Sequence, residues 1–213
     1  MTRTVATRTF LVTAPLAFAA LLMLHPVGED SFSALAFGNT DRWLIVHVGA
    51  AVMFPLMAFV VWLLLRGVPG RAATVSRIAL PVFAVSYGVW EALTGISTGI
   101  VAQQGDGMTG PARQALADAV DRIGTHPISG ELGLFNSVGA VAWVLAMVAA
   151  VIALHGVGVR RSALVLLAIA TFMVMHVPPI GPVALLCLSG AAVLSERTRR
   201  SWASGPAPIR ATA

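Results

Sequence analysis

The chain has 213 residues, 57% of them hydrophobic and only 11% charged. A water-soluble domain carries about 25% charged residues, so a solvated exterior is excluded. The composition points instead to an all-α, polytopic membrane protein. The net charge of +5 is carried by arginines alone, with no lysine, a usage that goes with a GC-rich bacterial genome. These arginines stand in short loops between apolar runs, so membrane topology explains them and a nucleic-acid partner is not expected. The single cysteine, Cys187, excludes an intramolecular disulfide and a cysteine-based zinc site.

Residues 1–196 read as a single transmembrane bundle, with no soluble domain left over. After a short start with Arg3 and Arg8, the first apolar segment runs from Phe10 to Leu24 and ends at His25-Pro26. A cleaved signal peptide would use Ala34-Leu35-Ala36 as its small-residue site. That site lies a dozen residues beyond the apolar core, so a retained span is expected. Pro26 to Asp41 reads as a loop.

Arg42 to Arg66 is the strongest span, an apolar run with arginine at each end and His47 inside it. A bilayer crossing needs about 20 residues at 1.5 Å rise. Pro55 removes a helical hydrogen bond there, and a kink is expected. A third span follows from about Ile78 to Ile100, with Tyr87, Trp90, Glu91 and Thr94 along it. Its Gly95 and Gly99 form a GxxxG pair suited to close packing within the bundle.

The largest loop, 103–126, contains an amphipathic stretch. Ala112, Ala115, Leu116, Ala119, Val120 and Ile123 share one helical face, with Arg113, Gln114, Asp118, Asp121 and Arg122 opposite. Pro111 and Gly124 supply start and stop signals. The expectation is an interfacial helix or a cap over the bundle. The fourth span runs from His126-Pro127 to Leu154, with Glu131 and Asn136 near its start.

The run from Ser162 to Leu194 has to cross twice, broken by Pro178-Pro179 and Pro182. Each leg is roughly 24 Å long against a hydrocarbon core of about 30 Å, so the turn should sit below the membrane surface. Residues 197–213 read as a disordered basic tail.

Six crossings place both termini on one side. Arg3, Arg8, Arg66, Arg71, Arg77, Arg160, Arg161, Arg197, Arg199, Arg200 and Arg210 fall on that side, against Arg42, Arg113 and Arg122 on the other. The positive-inside rule makes the first side cytoplasmic, in a plasma membrane.

That orientation gathers His25, His47, His126 and His176 at the outer face, on four different spans. Glu91 lies deeper, and Glu131 and Asn136 approach it from the fourth span. An ionisable group inside a span is expensive and therefore a functional candidate. The first reading is a metal site drawn from His47, His176, Glu91, His25 and His126, with Asn136, Glu131 and Tyr87 in the same pocket. Imidazole suits zinc, copper or iron, and Met173 and Met175 would favour copper(I).

A single haem between two histidines is an alternative; a transmembrane haem chain is not, because His155 stands alone at the inner face. Two further readings are a small-molecule or proton transporter and a structural subunit. Beyond membrane lipids and such a small ligand, no partner is indicated. No HExxH helix, nucleophile elbow, phosphate-binding loop or dinucleotide fingerprint is present.

Overall fold

The computed structural model describes residues 4–28 and 31–203, with side chains to 196. Among these residues every regular element is helical. Four helical stretches are long and apolar enough to cross a membrane: α1 (Val5–Leu22), α3 (Thr40–Leu64), the run from Arg71 to Gln104 and α7 (Leu134–Gly156). The third of these is composite. It begins as α4 (Arg71–Trp90), widens into one π-helical stretch over Glu91–Ile96 and resumes as α5 (Ser97–Gln104). Two shorter apolar stretches, Arg161–Val174 and Ile180–Glu196, close the chain. The first comprises α8 (Arg161–Ile169) and a 3-10 turn (Ala170–Val174), and the second belongs to α9 (Ile180–Ala203).

Apolar residues occupy both the inside and the outside of this bundle. Phe18, Phe54, Phe83, Tyr87 and Trp143 are fully buried. They join edge-to-face or tilted, with the Phe18–Phe54, Phe54–Tyr87 and Phe83–Trp143 centroids 5.0, 4.7 and 4.7 Å apart. Such pairs contribute beyond simple area burial. On the outside, Val52, Val85, Val141, Ile152 and Val165 are all more than half exposed. A helix that is apolar all round has no face for water. The exterior therefore suits lipid.

α4 packs along α7, α1 lies against α3 and α9, and α8 folds back on α9. The contact between α1 and α9 is pinned by an ion pair from Arg8 to Glu196 at 3.3 Å. α3 runs unbroken through Pro55. Gly95 and Gly99 both face α3, against His47 and against Leu44 and Trp43, so the GxxxG pair packs inside the bundle.

Two elements cover the end where α3 begins. One is α2 (Phe32–Phe37), in a region read from sequence as loop; Ser31 caps it by accepting from the Ala34 N–H at 3.1 Å. The other is α6 (Gly110–Thr125), the amphipathic helix, with Pro111 in its first turn. Val120 is buried and Leu116, Ala119 and Ile123 are half-buried, whereas Ala112 and Ala115 are exposed. Asp121, placed by the pattern on the polar side, turns toward α2. It accepts from the Ser33 N–H at 2.8 Å and the Ser33 hydroxyl at 3.0 Å. Of the disordered tail expected over 197–213, residues 197–203 continue α9, and 204–213 lie outside the described residues.

Candidate metal centre

Two chain reversals and the start of α3 bring three histidines to the covered end. The first follows α1, where Arg42 of α3 donates to the Leu24 carbonyl at 3.2 and 3.0 Å. This fixes the segment carrying His25 over the start of α3. His47 lies two turns into α3 and is therefore already inside the bundle. His176 occupies the turn between the 3-10 segment and α9. A Cβ on Gly181 would come within 2.3 Å of the His176 carbonyl oxygen, so glycine permits that tight return.

The rings converge. One nitrogen from each of His25, His47 and His176 falls within 4.8 Å of the others, and all three residues are buried. Ring centroids are 5.2 Å apart for His25–His47, 5.2 Å for His25–His176 and 6.4 Å for His47–His176.

Each ring also leans on a backbone carbonyl. His25 Nδ1 donates to Pro26 at 2.7 Å and His47 Nδ1 to Trp43 at 2.8 Å, while the Val174 backbone hydrogen-bonds His176. A carbonyl can only accept, so Nδ1 of His25 and of His47 carries the proton and Nε2 keeps its lone pair. Metal-ligating histidines have this outer support, which sets tautomer and ring orientation. Burial holds the His25 imidazole below its ordinary pKa, and Arg42 adds to that effect. It is therefore neutral near pH 7, as a metal ligand has to be.

The three rings line a cavity of about 370 Å³ whose other walls include Phe32, Trp43, Trp90, Thr94 and Glu131. Trp43 stacks on His47 with centroids 4.2 Å apart and donates from Nε1 to the Gly95 carbonyl at 2.7 Å. That acceptor lies in the π-helical stretch. Such widened turns are frequent at functional sites, and this one packs against α3 with Glu91, Thr94 and Gly95 buried.

The other residues singled out from sequence are distributed around this trio. Glu91 is fully buried, and neither carboxylate oxygen has a hydrogen-bond partner among the described residues. A Cβ on Gly95 would sit 2.3 Å from His47 Cδ2 and 2.7 Å from Glu91 Oε2. The carboxylate and the imidazole thus flank a single glycine, although Glu91 is not one of the convergent three. Glu131 lines the cavity.

Tyr87 stands on the core side and donates from its hydroxyl to the Val174 carbonyl at 3.3 Å. Asn136 is half-buried and donates to the Glu131 carbonyl. His126 is exposed, outside the convergent trio, and its Nδ1 accepts from the Ile128 N–H at 3.2 Å. Met173 is in the core and Met175 is exposed. Trp43 and the widened turn were not singled out from sequence. An aromatic residue four positions before a buried histidine was the available signal for the first; the second leaves none.

Compared with known proteins, the chain matches no family model, no curated protein and no solved structure. Function is therefore argued from geometry. The geometry comprises four helices fit to cross a membrane and three buried histidines able to form a metal site.

Proposed function

We propose that this is a multi-pass protein of a bacterial plasma membrane that binds one zinc or copper ion on its outer side through His25, His47 and His176. The convergence of three buried ring nitrogens within 4.8 Å, from three separate segments, carries the reading. A structural histidine needs one partner, and a carbonyl already supplies one to His25 and to His47. Three imidazoles, each offering one nitrogen within 4.8 Å of the others, are the donor set of a borderline metal ion. Glu91, one glycine away from His47, contributes negative charge near the ion.

In this proposal α8 and α9 complete six crossings. As 14- and 17-residue apolar stretches they are short for a bilayer, which sets their turn, and His176 with it, below the surface. α6 then lies at the outer interface over α2. The opposite end of the bundle carries Arg66, Arg71, Arg160 and Arg161, which makes it the cytoplasmic end.

Metal analysis and an optical spectrum of the purified protein test the reading. One equivalent of zinc or copper is expected, lost in His47→Ala. A Soret band would select haem instead. Metal content equal in wild type and His47→Ala would overturn the site.

A further inference from the structure

Among the described residues, no fourth histidine, cysteine or carboxylate joins the three convergent nitrogens. Three protein ligands leave a tetrahedral ion one position short, which distinguishes sites that bind an exogenous ligand from closed structural ones. The cavity shows where that position opens. The three histidines line it together with Phe32, Leu35, Trp43, Trp90 and Glu131. Glu131 is the acidic residue on this wall among the described residues, and its side chain is exposed.

The segment bearing Glu131 is fixed in place. The Glu131 N–H donates to Gly124 at the end of α6 at 2.9 Å. Asn136 donates to the Glu131 carbonyl, and Thr94 of the widened turn donates to Ser129. A Cβ on Gly130 would lie 2.4 Å from the Gly124 oxygen, so the loop is closed against the helix with no slack. Glu131 thus stands at the cavity on a backbone tied both to α6 and to the stretch that carries Glu91.

We propose that the space between the histidine trio and Glu131 is a substrate subsite. It takes a small molecule with a metal-binding donor atom at one end, a flat apolar body against the aromatic lining of Phe32, Trp43 and Trp90, and a cationic or hydrogen-bond-donating group that meets Glu131. The inference rests on the metal reading above, and goes further by assigning the fourth position and its occupant's chemistry.

Cobalt(II) reports coordination through its visible spectrum, and two probes separate the contributions. 4-(Aminomethyl)pyridine carries a pyridine nitrogen and, at the para position, an ammonium that cannot reach the same ion. 4-Ethylpyridine has nearly the same shape without the charge. Both should shift the spectrum of the cobalt-loaded protein. The ammonium probe should bind about fivefold tighter, as a partly solvated ion pair gives, and Glu131→Gln should abolish that advantage while leaving 4-ethylpyridine affinity unchanged.

If cobalt binds but neither probe alters its spectrum, the fourth position is closed and the subsite is wrong. A charge advantage that is missing, or that survives in Glu131→Gln, removes Glu131 from it. Absence of stoichiometric cobalt, with or without probe, overturns the underlying metal site itself.

Discussion

The indole of Trp43 lies nearly parallel to the imidazole of His47, 21° between planes and 4.2 Å between centroids, while its backbone carbonyl accepts from that ring's Nδ1. One residue thus sets the position, tilt and tautomer of a candidate ligand. Its own orientation is held by the bond from Nε1 to Gly95. Sequence periodicity supports this arrangement directly, since positions four apart share a helix face.

The indole and its hydrogen bond can be separated. Trp43→Phe keeps an aromatic face and the backbone carbonyl but loses the bond to Gly95, and should lower stability by about 1 kcal/mol. Trp43→Leu removes the stack as well and should weaken metal binding about 10- to 100-fold, the range for outer supports of a ligand. Thermal unfolding and metal titration of the two variants check both.

The convergence also divides the histidines. His176→Ala should remove stoichiometric metal, whereas His126→Ala should retain it, because His126 is exposed and outside the trio. Equal loss in both variants would add His126 to the site. Metal content per protein is the readout.

How far the sequence reaches is visible in these same residues. Depth along a helix follows from counting at 1.5 Å per residue, which is why His25, His47 and His176 could be assigned to one end. Lateral position does not follow from counting. His126 still stands apart, because its own side chain is exposed and its ring bonds the Ile128 N–H, although Glu131 of the same turn reaches the cavity. The α2 helix was hidden by its brevity, although Ser31 and Gly38 bracket it as caps. The widened turn at Glu91 packs against α3, a contact between distant segments. Local propensity carries no trace of it.

Glycine 95 gives the sharpest steric test. Added as alanine, its Cβ would fall 2.3 Å from His47 Cδ2 and 2.7 Å from Glu91 Oε2, so ring or carboxylate has to move. Gly95→Ala should cost about 1–3 kcal/mol, as overpacking does, and should weaken metal binding. Gly88→Ala on the same run meets nothing within 4 Å and should stabilise by about 0.5–1 kcal/mol through chain entropy. Comparing the two by thermal unfolding separates a general helix effect from a clash at the site.

A buried carboxylate without a partner is costly unless something nearby compensates. In the proposed protein the metal ion supplies that compensation to Glu91. Glu91→Gln keeps the shape and removes the charge, so the apo protein should be as stable as wild type or more so. Metal affinity should fall about tenfold, in the range of outer-shell changes. Unchanged affinity would reduce Glu91 to a structural group. Titration of both proteins with zinc or copper, beside their apo melting curves, distinguishes the outcomes.

The proposed orientation decides from which side a ligand arrives. Asp106 lies in the exposed turn after α5, at the end that carries the histidines, and Pro69 lies in the exposed turn between α3 and α4. With Cys187 replaced by serine, a cysteine at position 106 should react with a membrane-impermeant maleimide in intact cells. One at position 69 should react only after lysis. Arg66 and Arg71 flank the second site, and arginine in short loops resists translocation. The reverse labelling pattern would turn the cavity toward the cytoplasm. The histidine geometry would be untouched, but the metal would then come from the cell's interior, and the outward-facing part of the proposal would fail.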